Sequence, residues 1–216
     1  MDLLFPPLCE TCNQKMAAHE DLICDDCLRK IPFRGRRTTH FTVAGEVYLD
    51  GALVLADFQP EIQHLIHLLK YSRRTRVVSR LAAFWEIQIR ELLAPGNYDI
   101  IAPIPLHPRK QRERGYNQVS KLVLWLGRQL QVKTQLQLLK RTRYTPTQTH
   151  LNARERFHNV QGAFSVTEPV DQLKILLVDD VLTTGSTANS CAAALKPAGA
   201  VQVELLALAT PVKVEA

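Results

Sequence analysis

The residues with the most chemical content stand together late in this sequence: Asp179 and Asp180, then Val181 and Leu182, then Thr183, Thr184, Gly185, Ser186 and Thr187. Small hydroxyl residues around a glycine let the backbone wrap closely about an anion. A helix beginning beyond them adds free N–H groups and a partial positive charge. A phosphate therefore belongs in the loop. Two carboxylates at the end of the preceding strand can accept the two hydroxyls of a ribose, which makes a ribose 5-phosphate group the expected ligand. A Walker-type loop requires a lysine that this one lacks. An Asp-Asp pair also follows an apolar strand in receiver domains, but there it lies near the domain's start, whereas here 37 residues (216 − 179) follow Asp179.

A second constellation is near the beginning. Cys9 and Cys12 form one C-x-x-C pair and Cys24 and Cys27 another. Each pair turns two thiolates toward one point, and two such turns complete a tetrahedral zinc site. Four sulfur ligands leave no open position, so the metal is expected to be structural. The alternative is a pair of disulfides, which a reducing compartment disfavours. Cys191, in an alanine-rich stretch, reads as a small buried hydrophobe.

Positioning these groups requires a sheet. Apolar runs over 52–56, 99–103, 162–166, 173–178 and 201–208 read as strands. Helical periodicity covers 61–71, 77–93, 117–130 and 187–196, with Pro60 suited to a helix start. Residues 109–114, between Pro108 and Gly115, read as a basic loop just past a strand end. Strand–helix alternation implies an α/β domain whose mostly parallel sheet carries helices on both faces, with ligands beyond the carboxyl ends of the strands. The expected division is a small zinc knuckle over 1–40 and the α/β domain over 41–216.

The formal net charge is +6, which favours anionic partners. The basic residues cluster over 29–37, 70–80, 109–114 and 140–156. Lys70, Arg73, Arg74, Arg141, Arg143, Arg154 and Arg156 are candidates for neutralising the phosphates of single-stranded DNA. Phe33, Tyr71, Tyr116 and Tyr144 interleave with them and can stack on bases. No run of about 18 apolar residues and no signal-like start is visible, so a cytoplasmic protein is expected.

The run 175–187 resembles the phosphoribosyl-pyrophosphate (PRPP) motif of type I phosphoribosyltransferases. Three further features resemble the ComF family: Pro103-Ile104-Pro105-Leu106-His107-Pro108-Arg109 with Arg112-Glu113-Arg114-Gly115-Tyr116-Asn117-Gln118; Arg141 to Gln148 with Leu151, Arg154, Arg156, Asn159 and Gly162-Ala163-Phe164; and the double C-x-x-C. The resemblance implies a type I phosphoribosyltransferase-like domain in an accessory protein of natural competence. Such a protein handles imported single-stranded DNA near a competence helicase and a recombination mediator. It further implies PRPP held with Mg²⁺. Asp179 and Asp180 would meet the ribose hydroxyls, and residues 183–187 the 5-phosphate. The turn at Pro103 and Pro105 would meet the pyrophosphate, assisted by Arg109, Arg112 or Arg114. The alternative reading is an active phosphoribosyltransferase using the same residues, although no base-specificity element is evident.

Overall fold

The computed structural model describes residues 7–43, 45–71, 76–94, 96–142 and 162–211. Its centre is a six-stranded sheet in the order β1-β2-β8-β7-β3-β4. These strands are β1 (Arg36–Thr38), β2 (Gly51–Asp57), β3 (Ile100–Pro103), β4 (Lys133–Thr134), β7 (Lys174–Val181) and β8 (Gln202–Thr210). Only the edge strand β1 runs antiparallel to its neighbour; the other pairings are parallel. A separate antiparallel pair joins β5 (Leu139–Arg141) to β6 (Phe164–Val166). The result is the expected α/β arrangement with a mostly parallel sheet.

The central strands are apolar on both faces because both are covered. Leu53, Leu55, Ile101, Leu176, Val178, Leu206 and Leu208 share one core with α2 (Pro60–Tyr71), α3 (Arg76–Phe84) and α6 (Ser120–Leu130). Ala52, Val54, Ile175, Leu177, Leu205 and Ala207 face the other core, with Phe164 and the helix α7 (Ser186–Leu195). Alternation along each strand generates this division.

The cysteine segment packs into the main domain through its apolar residues. Ile23, Leu28 and Ile31 are buried in the same core as α2 and α3. Leu28 lies in the short helix α1 (Asp25–Arg29). Arg80 is paired with Asp25, and Arg76 reaches Asp21 at 2.5 Å. Phe33 meets the ring of buried Trp85 edge-on, with centroids 5.5 Å apart; such pairs contribute about 0.5–1.5 kcal/mol beyond their buried area.

Several elements depart from the sequence expectation. The helix expected over 77–93 is broken at Trp85, whose φ of −102° and ψ of 20° leave the helical region before α4 (Glu86–Leu92) begins. The basic run 109–114 is helical, as α5 (Pro108–Arg114): Pro108 suits the first turn, and His107 caps it by accepting from the N–H of Arg109 at 3.1 Å. The helix expected from Asn117 begins at Ser120, because Asn117 instead donates to the Ile104 carbonyl at 2.8 Å. β7 continues through both acids to Val181, with Asp179 opposite Ala207 and Val181 opposite Ala209. No helix among the described residues is long and apolar enough to cross a membrane.

Candidate functional site

Two connections set the site's position. From β3 the chain moves outward to β4, and from β7 it moves the opposite way to β8. The strand order therefore reverses between β3 and β7, and a crevice opens beyond their carboxyl ends, where open α/β sheets bind ligands. Pro103 lies in register with Val178, and the N–H of Ile104 donates to the Val178 carbonyl at 2.9 Å. The turn at Pro103 and Pro105 and the segment 179–187 consequently share one mouth.

The loop after β7 is built to leave amides available. Gly185 is the N-cap of α7 at φ 84° and has no side chain to cap the helix. Thr184 Oγ1 lies 2.8 Å from Ser186 Oγ and accepts from the Ser186 N–H at 3.3 Å. The Thr210 hydroxyl donates to the Leu182 carbonyl at 2.7 Å, and the Leu182 N–H to the Ala209 carbonyl at 2.9 Å. Thr183, Thr184, Gly185, Ser186, Thr187 and Asp179 line an open hollow of about 280 Å³.

Because β7 runs through both acids, consecutive side chains leave on opposite faces. Asp180 is buried with its Oδ2 accepting from Gln118 Nε2 at 2.8 Å and pairing with Lys70 Nζ at 2.9 Å. Asp179 lies on the hollow's side, its Oδ1 accepting from the Asp180 N–H at 2.8 Å. Burial, then the adjacent Asp180 charge, push the Asp179 carboxyl up to about 7 against the pull of Lys70 and Arg141. This raised pKa has a definite sign. The folded state holds a proton that the unfolded chain has released above about pH 4. Its stabilising contribution is full below that pH and is lost as pH rises through about 7. Asp179→Asn should therefore raise Tm by roughly 5 °C more at pH 8 than at pH 5. Equal effects at the two pH values in thermal melts would contradict the assignment.

Cations surround the acids. Lys110 on α5 is partly buried and held below its usual pKa, first by burial, then by Arg114, Arg141 and Lys70. Burial does the same to Arg141, on β5, whose guanidinium also stands 5.5 Å from the centre of the Phe164 ring. His107 is lowered by burial and by Arg141, Arg112, Arg109 and Lys110. A mouth with this excess of positive charge favours an anionic ligand. Arg114 donates to Gln118 Oε1 at 3.1 Å, extending the chain of contacts to Asp180. Arg109 pairs with Glu113 at 3.1 Å on the exposed side of α5, and Arg112 is exposed there too.

The residues expected to meet nucleic acid divide differently. Lys70 and Arg141 lie at the mouth, while Arg73, Arg74, Arg143, Arg154 and Arg156 fall outside the described residues. Much of the first basic cluster is matched by acids of the same chain: Arg34 and Arg36 to Asp57, and Arg37 to buried Glu204.

The cysteines form a separate centre. Sγ of Cys9 lies 3.9 Å from that of Cys27, and Sγ of Cys12 lies 3.7 Å from that of Cys24. All four sulfurs are within 4.8 Å of one another, and none is in a disulfide. Four sulfurs 2.3 Å from a central zinc form a tetrahedron with edges of about 3.8 Å, so the cluster fits that ion and can hold such a metal. Although burial disfavours ionisation of Cys9, the N–H groups of Cys24, Cys12 and Thr11 outweigh it and lower the thiol to about 6. The Cys24 and Cys27 thiols are raised, first by burial.

No family model matches the chain. Individual proteins do. DNA utilization protein YhgH of Escherichia coli K12 is 34% identical over 204 residues, covering 93% of this chain and 83% of the relative. The chain belongs to the ComF family. Competence protein F of Haemophilus influenzae is 26% identical to this ComF chain over 94% of its length and 84% of the relative. Competence protein ComFC of Streptococcus pneumoniae is 35% identical over 49% of the chain and 45% of its own length.

Placing the ComF-like residues in the fold exposes roles their identities did not announce. Tyr116 donates its hydroxyl to the Leu69 carbonyl, Asn117 binds the turn after β3, and Gln118 holds Asp180. Asn189, buried on α7, accepts from the N–H groups of Tyr48 and Leu49 and donates to the Glu46 carbonyl. It fastens the segment before β2 beside the loop. In sequence it was one polar residue in an alanine-rich helix, and no spacing rule marks it.

Proposed function

We propose that this ComF protein serves DNA uptake or utilisation and binds a phosphoribosyl ligand, PRPP, at the crevice beyond β3 and β7. The relatives named for competence and DNA utilisation support the cellular role. The carrying observation for the ligand is the hydroxyl-rich loop 183–187 with glycine at the helix N-cap, opening onto a hollow at the strand-order reversal with cations around it. The domain over 41–216 is then type I phosphoribosyltransferase-like, and residues 1–40 are its zinc-binding unit. The loop would take the 5-phosphate and Asp179 a ribose hydroxyl. Lys110, Arg114 and the turn at Pro103 would face the pyrophosphate. Asp180 would act mainly by fixing Lys70 and Gln118. Mg²⁺, when bound with PRPP, would neutralise charge on the diphosphate, and Asp179 is the hard oxygen donor suited to it. The length of a single DNA strand would be held mainly by the basic surface.

Calorimetric titration with PRPP and Mg²⁺, run beside polarisation with a labelled oligo(dT), tests both parts. The wild-type chain should bind PRPP, and Asp179→Ala/Asp180→Ala should lose at least about tenfold in that affinity. Oligonucleotide affinity should persist in the variant and fall at least about tenfold between 50 and 200 mM salt. PRPP binding untouched by the double substitution would sink the ligand reading. DNA affinity indifferent to salt would sink the other. Pyrophosphate release on adding a nucleobase would make the protein a transferase instead.

A further inference from the structure

A second hollow of about 260 Å³ adjoins the first, and the two share residues 182–184 of the phosphate loop. Its character is different. Among the described residues lining it there is no lysine, arginine, aspartate or glutamate. Phe41 and His40 contribute rings, and threonine hydroxyls surround them. A neutral hollow of this kind does not suit another phosphate or a metal; it suits a planar ring with hydrogen-bonding edges.

The hollow is also preformed. Thr210 fixes Leu182 from below. The Thr38 hydroxyl accepts from the His40 N–H at 3.1 Å and sets the turn that presents the two rings. Phe41 lies so close to the loop that a Cβ on Gly185 would meet its Cδ1 at 2.9 Å. Downstream, Asn189 pins residues 46–49 to α7. A ring entering here would therefore find Phe41 already anchored, with little side-chain ordering left to oppose binding.

We propose that this hollow seats the base of a nucleoside whose 3′-oxygen is esterified to the phosphate held by the loop, so that the site accepts a phosphodiester and not solely a terminal phosphate. The shared wall carries the inference. A phosphate lying on residues 183–187 has Asp179 and the first hollow on one side. On the other, across the shared residues 182–184, is the aromatic hollow. Strand and loop would thus read two consecutive units of a DNA chain. The proposal rests on the phosphate-binding part of the function proposed above and names a substrate class for the same loop.

The test compares three probes by calorimetry: ribose 5-phosphate, thymidine 5′-(methyl phosphate) and the dinucleotide d(TpT). The last two carry the same charge and differ in the nucleoside on the 5′ side. Wild-type protein should bind d(TpT) roughly tenfold more tightly than the methyl ester, as stacking one base provides. Phe41→Leu keeps apolar bulk against Gly185 but removes the aromatic face. It should abolish that advantage while leaving ribose 5-phosphate and the methyl ester within about twofold of wild type. Equal affinity of wild-type protein for d(TpT) and the methyl ester would overturn the inference even if ribose 5-phosphate binds. So would an advantage that survives Phe41→Leu. Failure of ribose 5-phosphate alone, with a Phe41-dependent d(TpT) advantage intact, would overturn the phosphoribosyl reading and support this one. Failure of all three probes would overturn both.

Discussion

Cys24→Ser is expected to release the metal and to lower Tm by at least about 10 °C. Structural zinc in small cysteine sites contributes on the order of 10–16 kcal/mol of apparent folding free energy, and a chain of this size shifts by about 2–4 °C per kcal/mol. The loss is not confined to the knuckle. Ile23, Leu28 and Ile31 pack in one core with Leu65, Leu69, Val77 and Leu81, so loosening the cysteine turns uncovers α2 and α3. The polar ties fail with it: Arg80 to Asp25, Arg76 to Asp21, and His64 Nε2 to the Glu10 carbonyl at 3.1 Å. α2 carries Lys70 to Asp180, so the disturbance also reaches the crevice. Metal content and thermal melts would be measured together. Cys191→Ala serves as the control, because Cys191 is buried in the opposite core and should keep the metal. A Cys24→Ser protein that retains one equivalent of zinc, or melts like wild type, would disprove the zinc assignment.

That coupling was not legible in the sequence, and the reason is physical. The spacing of Cys9, Cys12, Cys24 and Cys27 points to turns able to hold a metal through local geometry alone. Where Ile23, Leu28 and Ile31 bury themselves depends on partners tens of residues away. The same contrast runs through the main domain. Strand and helix periodicities located β2, β3, β7, β8, α2 and α7 to within a few residues, because apolar residues there repeat on a helical period or run unbroken. β1, β4 and β5 are two or three residues long and carry no period to detect. The helix α5 was hidden by its charge: a run with no buried residue has no apolar stripe, and only the His107-Pro108 start betrays it. At the site, the hydroxyls and acids could be named from their types. Their facing could not. Placing Asp179 and Asp180 together assumed that the strand ended before them, whereas it continues three residues further, to Val181, and alternation separates them. Lys110, inside the basic run, and Gln118, inside the ComF-like signature, were given no individual role because those roles are set by neighbours in space: Arg114, Arg141 and Lys70 for the first, Asp180 for the second.

Gly185→Ala should cost at least about tenfold in affinity for ribose 5-phosphate while leaving a folded protein. Two separate effects act at this residue. Its φ of 84° is left-handed, a conformation that costs a residue with a Cβ roughly 1–2 kcal/mol. The added Cβ would also stand 2.9 Å from Phe41 Cδ1 and 3.4 Å from Phe41 Cβ. The fold can absorb this, since α7 remains buried against the sheet through Ala188, Cys191, Ala192 and Leu195. The loop cannot absorb it without moving. Its amides must converge on one phosphate, and an error of about 1 Å in their aim is enough to lose most of the interaction. The double variant Gly185→Ala/Phe41→Ala separates the two effects. Removing the ring relieves the contact but leaves the backbone strain, so ribose 5-phosphate binding should stay weak. Recovery in the double variant would assign the loss to the ring. Undiminished binding by Gly185→Ala itself would show that the phosphate is not held by this loop, because an anion cradled by the first amides of α7 cannot be indifferent to the residue that orients them.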